Sequence, residues 1–318
     1  MGTLAGHVAP GSVFLFVGLW HLLNHIKLHV ENPKDFHFSS WVPSTKMRYS
    51  ELYYIMGSCS MAIVMELFIE PDLHHPFDTD GTIPSNHLQN FEHSFIFLMF
   101  SVYAGLAILL DKFKPKAHYE LTHLLLGIAF GQQLLVIHLH STGNMGIQGQ
   151  YHMLLQILIL ISFISTLMGI GYQKSFMVSF IRSISMFFQG LWLIVMGFML
   201  WTRSLIPKGC FLNLEQGHHV VRCHGDAALE RAKSLVNIQF SCYLLFVIIS
   251  AISLYLVMDK IYRKKVEYQS LTRYAQEHVH EDSEAQRKMN KIEESQSFIL
   301  MEKSFHPLDM EMQTDVYG

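Results

Sequence analysis

The sequence predicts an all-α, polytopic membrane protein of about seven transmembrane helices, with its N-terminus outside the cytosol and its C-terminus in it. Three observations predict this. Half of the 318 residues are hydrophobic and only 15% are charged, against roughly 25% charged residues in a soluble domain. The charges are also segregated: the long apolar runs between Leu52 and Trp201 carry almost none, whereas the stretch from Asp259 onward is dense with Lys, Arg, Asp and Glu. Finally, Lys and Arg alternate between successive short loops, as in proteins that hold their basic loops on the cytosolic side.

A helix of roughly 20 apolar residues crosses a hydrocarbon core of about 30 Å and satisfies its own backbone polar groups, which lipid does not. Seven stretches meet that test: Gly11 to Leu28, Leu52 to Ile69, Asn90 to Leu110, Leu121 to Leu139, Tyr151 to Tyr172, Val178 to Trp201 and Val236 to Met258. The first has no basic segment ahead of it and no clear small-residue cleavage site, so it reads as a retained anchor and not as a signal peptide. The fifth and sixth are separated only by Gln173 to Met177, which leaves a count of six open. Residues 1–258 therefore form a membrane domain, and residues 259–318 a charged cytosolic tail, flexible or partly helical.

Orientation follows from the loops. Lys34, Lys46 and Arg48 lie between the first and second spans beside Lys27, Lys112, Lys114 and Lys116 between the third and fourth, and Lys174 with Arg182 around the fifth-to-sixth turn. The loops Glu70 to Gln89 and His140 to Gln150 have no Lys or Arg. The segment Thr202 to Leu235 dissents, with Arg203, Lys208, Arg222, Arg231 and Lys233. It also carries Cys210 and Cys223, which are free to pair if it is lumenal. No Asn-x-Ser/Thr acceptor is available to report the topology, and no basic face suggests nucleic acid.

Twenty histidines are the most unusual feature of the composition, and His7, His93, His138, His140 and His152 fall where helices meet the outer surface. Imidazole is the commonest neutral metal ligand. His93 beside Glu92 opens the third span, His138 and His140 close the fourth and His152 opens the fifth, so three helix ends present nitrogen ligands at one depth. Glu66, inside the second span, is the acid placed to join them as an oxygen ligand or general base. Zinc is the cofactor such a set would hold. His138 and His140 stand about 200° apart on a helix and converge only if the helix ends there. Gln133 precedes His140 by two turns and Gln156 follows His152 by one, giving each a polar neighbour on its own face. The plainer reading is that interfacial histidines bond headgroups, water and backbone; a proton relay is a third.

His21, His25 and His29 form one stripe near the cytosolic end of the first span. They have no evident acidic partner and read as interfacial. Trp20, Trp192 and Trp201 suit the aromatic positions of membrane helices. In the tail, Tyr268-Gln269-Ser270-Leu271 has the tyrosine-x-x-apolar form that sorting adaptors bind in extended conformation. Gly2 begins a myristoylation pattern, but Gly6 stands where Ser or Thr is needed.

The opening Gly6-His7-Val8-Ala9-Pro10-Gly11 with Gly18-Leu19-Trp20 resembles the start of the transmembrane protein 45 family, multi-pass proteins with a domain of unknown function. Further likenesses recur in order: Glu51, Glu66 and Phe68, then His93, His138-x-His140 and His152, then Gln189-Gly190-x-Trp192 with Gly197-Phe198. They cover about residues 6 to 258, and within the family the chain is most similar to the transmembrane epididymal proteins. The resemblance implies seven helices and epididymal expression, but no reaction, ligand or transport substrate. The chain departs from the pattern at Glu92-His93, where the family often has two histidines, and at Gly131, where it has an acid. Losing that acid weakens hydrolytic chemistry.

A receptor would show an Asp-Arg-Tyr-like triplet after the third span and an Asn-Pro-x-x-Tyr-like end to the seventh. Neither is present, and no repeats or paired helix breaks suggest a transporter. The expectation is a non-enzymatic membrane protein in trafficking or partner organisation, whose partners are the lipid bilayer and sorting adaptors. The rival is a metal-binding protein or metal-dependent membrane hydrolase.

Overall fold

The structure is a computed structural model and describes residues 3–44, 46–69, 76–78, 80–141, 146–215 and 218–303; the side chains of 86, 140, 141, 218, 265–282, 294 and 296–303 are not described. Seven helices, α1 (Leu4–Glu31), α2 (Ser50–Val64), α3 (Leu88–Phe113), α4 (His118–Ser141), α5 (Ile147–Gly171), α6 (Phe176–Trp201) and α7 (Asp226–Lys303), account for nearly all of it. Each includes a stretch long and apolar enough to cross a membrane, so the count is seven and not six. A two-stranded antiparallel hairpin, β1 (Cys210–Glu215) with β2 (His218–Cys223), stands in the α6–α7 connection. The chain divides into two units, Met1–Lys260 and Ile261–Gly318, and α7 is helical through Lys303.

Local chemistry explains the ends of these helices. Thr3 caps α1, its hydroxyl accepting the Gly6 N–H at 3.0 Å. Between α5 and α6 the Tyr172 N–H closes on the Met168 carbonyl, while Ser175 caps α6 by accepting from the Val178 N–H at 3.4 Å. Lys114 adopts φ 46° after α3, a left-handed turn that stops the helix. α2 continues as a π-helical turn over Met65–Ile69.

Helices α1 to α6 form a closed ring: each packs on its neighbours in sequence, and α1 lies along α6. With lipid outside, close packing and hydrogen bonding must hold such a ring, because burying apolar surface gains little there. The α1–α6 seam is built on glycine. A Cβ at Gly190 would fall 2.2 Å from the Leu15 nitrogen, and one at Gly18 2.3 Å from the Phe187 nitrogen. The glycines of the two opening and sixth-span motifs thus let two backbones touch. The joint between α1 and α2 is by contrast sparse. α7 lies outside the ring, with Phe240 against Phe188 and Trp192, and Tyr255 against Phe176 and Phe180. Trp192 is fully buried and donates to the Tyr151 carbonyl at 3.1 Å, a core role and not an interfacial one.

The connection from α1 to α2 is not a free loop. Phe36, Phe38 and Trp41 are buried, the Phe38 N–H donates to the Gln173 carbonyl at 3.1 Å, and the Tyr119 hydroxyl donates to the Phe38 carbonyl. At its edge Arg48 grips Asp111 through two bonds of 2.8 and 2.9 Å, and Tyr49 donates to the same carboxylate. Hydrogen bonding to Asp111 raises the Arg48 pKa above its ordinary value.

In the α6–α7 connection, Cys210 and Cys223 form a disulfide that closes the hairpin. Arg222 and Asn213 both donate to Glu215, which lowers the Glu215 pKa to about 2. Lys233 pairs with Glu230 at 3.2 Å. Two of the five basic side chains that dissent from the charge pattern are therefore matched by acids.

Candidate functional site

At the centre of the ring is a cavity of about 310 Å³, within the range of about 300–1,000 Å³ typical of sites for small organic ligands. Its long walls are apolar, supplied by residues such as Pro10, Val13 and Phe14 of α1, Ile55 of α2, Phe97 and Phe100 of α3 and Phe130 of α4. Polar groups gather at its two ends. Glu66 and Gln133 line it toward the start of α1, and His21, Ser40, Glu51 and Tyr103 line it toward the other end. Both carboxylates come from α2 and its π-helical extension, fifteen positions apart (66 − 51), which at 1.5 Å per residue is about 22 Å.

The inner end, by the α1–α2 connection, is a dense polar network in which Arg182 Nε and Nη1 and the Ser40 hydroxyl have no hydrogen-bond partner among the described residues. His21 Nε2 meets Glu51 Oε1 at 2.7 Å, and the other Glu51 oxygen accepts the Val42 N–H at 2.8 Å. Arg182, with no exposed surface, places Nη2 3.4 Å from His21 Nδ1 and donates to the Ser39 carbonyl at 2.6 Å. His25 shares a bond with Ser183 at 3.1 Å. This corrects two expectations. The histidine stripe does have an acidic partner, because Glu51 begins the next helix, and His21 and His25 are buried, not interfacial. Arg182 is no cytosolic loop charge but the buried cation opposite Glu51.

The outer end is built around Glu66. Glu66 faces His93 Nδ1 at 3.8 Å and accepts from Asn90 Nδ2 at 3.1 Å. The π-helical turn sets Glu66 on the cavity side, where it is buried; such turns recur at functional sites. His7 joins this end: its ring lies tilted against Trp201 at 4.5 Å and meets His152 edge-on at 6.0 Å. His7 donates from Nδ1 to the Thr3 carbonyl at 3.1 Å and His152 from Nδ1 to the Gln148 carbonyl at 2.8 Å.

Of the predicted ligand set, the structure brings Glu66 and His93 together and places His152 beside His7. His138 is exposed and bonds Gln156 at 3.0 Å. Glu92 is exposed, and only His93 of that pair turns inward. The His140 side chain lies outside the described residues. Among the described residues no group of three or more His, Cys, Asp or Glu is placed to hold a metal ion. Gln133 lies in the cavity wall, accepting from Gln189 Nε2 at 3.2 Å. Tyr268 and Leu271 lie in the helical backbone of α7, and their side chains are not described. Sequence reasoning missed the cavity, Asn90 and the buried Arg182; two acids fifteen residues apart in one apolar helix were the available sign.

The fold and the cavity define a multi-pass membrane protein with a hollow six-helix ring. Residues 119–256, from α4 into α7, match a family of unknown function, DUF716.

Proposed function

We propose that the protein is a non-enzymatic membrane receptacle that holds one apolar, chain-like molecule taken from the bilayer. The observation that carries this reading is the cavity itself: elongated, apolar along most of its walls, with both of its carboxylates, Glu51 and Glu66, at opposite ends. The sparse α1–α2 joint is the entrance; Met61 lines the cavity there and is 64% exposed. The test is native mass spectrometry of the detergent-purified protein. A lipid-sized adduct that survives micelle removal is expected, and Ala62→Phe, which fills the cavity from α2, should lose it at an unchanged thermal midpoint. No adduct on the wild type, or an equal adduct on Ala62→Phe, overturns the reading.

Our placement of the N-terminus and the hairpin outside the cytosol, in the secretory pathway or plasma membrane, rests on the basic loops and the Cys210–Cys223 pair, which suits an oxidising compartment. The resemblance to the transmembrane protein 45 family and its epididymal members supports an epithelial membrane. A sorting role for Tyr268 and Leu271 requires α7 to unwind there, since adaptors read that pattern extended.

The second reading, a zinc site, is favoured by the Glu66–His93 approach, two ligands of the three or four that zinc takes. Zinc in one-to-one ratio by elemental mass spectrometry, lost in His93→Ala, supports it; its absence from the folded wild type removes it.

A further inference from the structure

We infer that the inner end of the cavity takes the head of its occupant, and that this head is a neutral hydrogen-bond acceptor, the carbonyl of a long-chain ester or amide, held by the Ser40 hydroxyl. This rests on the receptacle reading and names its ligand class. Ser40 lines the cavity and is buried, and its hydroxyl has no hydrogen-bond partner among the described residues. Burying an unbonded hydroxyl is costly, and an unmet donor is rarer than a spare lone pair. An acceptor arriving along the cavity removes that cost.

The backbone on both sides holds Ser40 in place. The Phe38 N–H donates to the Gln173 carbonyl at 3.1 Å, Arg182 to the Ser39 carbonyl at 2.6 Å, the Tyr103 hydroxyl to the Ser40 carbonyl at 3.3 Å and the Val42 N–H to Glu51 at 2.8 Å. A hydroxyl fixed in this way is preorganised for its ligand. The other polar groups that line this end are engaged: the Glu51 oxygens accept from His21 and Val42, and Tyr103 gives its proton to the Ser40 carbonyl.

Charge decides between a neutral and an ionic head. Arg182 and Glu51 are a buried cation and a buried anion, and His21 lies between them, with Nε2 against Glu51 and Nδ1 toward Arg182. A guanidinium only donates, so Nδ1 is an acceptor and His21 adds no charge. The pair balances, and an ionised head beside it would be buried without an opposite charge of its own. Arg182 does not line the cavity, so its guanidinium is not offered to the head. A chain anchored at Ser40 runs along Ile55, Phe97, Phe100 and Phe130.

Native mass spectrometry of the delipidated full-length protein in detergent tests this. Methyl hexadecanoate, hexadecane, hexadecanoate and hexadecylamine are each offered alone over a concentration series at about pH 7, where the acid is ionised and the amine protonated. Half-occupancy by the ester is expected at about fivefold lower concentration than by hexadecane, the worth of one neutral hydrogen bond, and at lower concentration than by either ion. Ser40→Ala should bring the ester level with hexadecane while hexadecane itself is retained as before, which shows the cavity intact. Wild-type protein that retains the ester no better than hexadecane overturns the inference and leaves the receptacle standing; so does an acid or amine held as well as the ester. An ester preference that survives in Ser40→Ala overturns it as well, and if that variant does not fold, the wild-type comparison decides. Retention of none of the four compounds removes the receptacle reading and this inference with it.

Discussion

The two ends of the cavity are built from the same pair of side chains, a glutamate of α2 or its π-helical extension facing a histidine, yet they are different devices. At the inner end Glu51 bonds His21 at 2.7 Å and the Val42 backbone at 2.8 Å, with the buried Arg182 as counter-charge. At the outer end Glu66 stands 3.8 Å from His93 in a turn of π-helix. One carboxylate is consumed in holding the α1–α2 connection against the ring. The other is set in a cavity wall by a backbone irregularity with an amide, Asn90, for support. The lesson is that a buried acid in a membrane helix is not thereby a functional site; what its oxygens already accept decides.

The comparison breaks most sharply at Glu51. Glu51→Ala leaves Arg182 buried without its counter-charge and strips Val42 of its acceptor, and breaking a buried pair costs about 3–5 kcal/mol. Thermal unfolding in nanodiscs should show a loss of that order, or the protein should fail to accumulate. A loss under about 1 kcal/mol would mean that the inner network is not structural. Gly190→Ala comes next, because it acts on both ends at once through α1, which carries His7 and His21. Its Cβ would fall 2.2 Å from the Leu15 nitrogen and 2.6 Å from the Gly11 carbonyl oxygen, so the helices must separate, at about 1–3 kcal/mol. The same scan on Gly57, whose Cβ would meet nothing within 4 Å, should show no loss.

Much of this fold was legible in the sequence because the bilayer imposes a simple rule of length and apolarity. Six of the seven stretches lie within helices of the structure and the fifth overruns its helix only at Tyr172, and the turn between α5 and α6 separates two of them. The sites were less legible, because the sequence shows depth but not direction. Arg182 stands near a helix end and reads as a loop charge, but the α1–α2 connection folds over it and buries it. His21 lacks an acid within its own helix, and its partner comes from the next one, thirty residues on. His138 and His152 share a depth but not a face, since one is exposed and the other buried. The hairpin escaped notice because its strands are short and their alternation is lost in a charged stretch.

The smallest effect sharpens the comparison most. Glu66→Gln keeps the shape of the side chain and an acceptor for Asn90 and removes only the charge. Asn90 keeps an acceptor and His93, 3.8 Å away, keeps a polar neighbour, so its stability loss should be under about 1.5 kcal/mol, the worth of one ordinary hydrogen bond. Thermal unfolding beside Glu51→Gln checks this. Glu51→Gln must leave Arg182 uncompensated and so lose more, although it too keeps its shape. If the two variants lose equally, Glu66 is as embedded as Glu51, and the outer end is a second structural clamp. If Glu66→Gln is nearly silent in stability, the two glutamates of one helix differ in what they do: Glu51 holds the ring together and Glu66 does not.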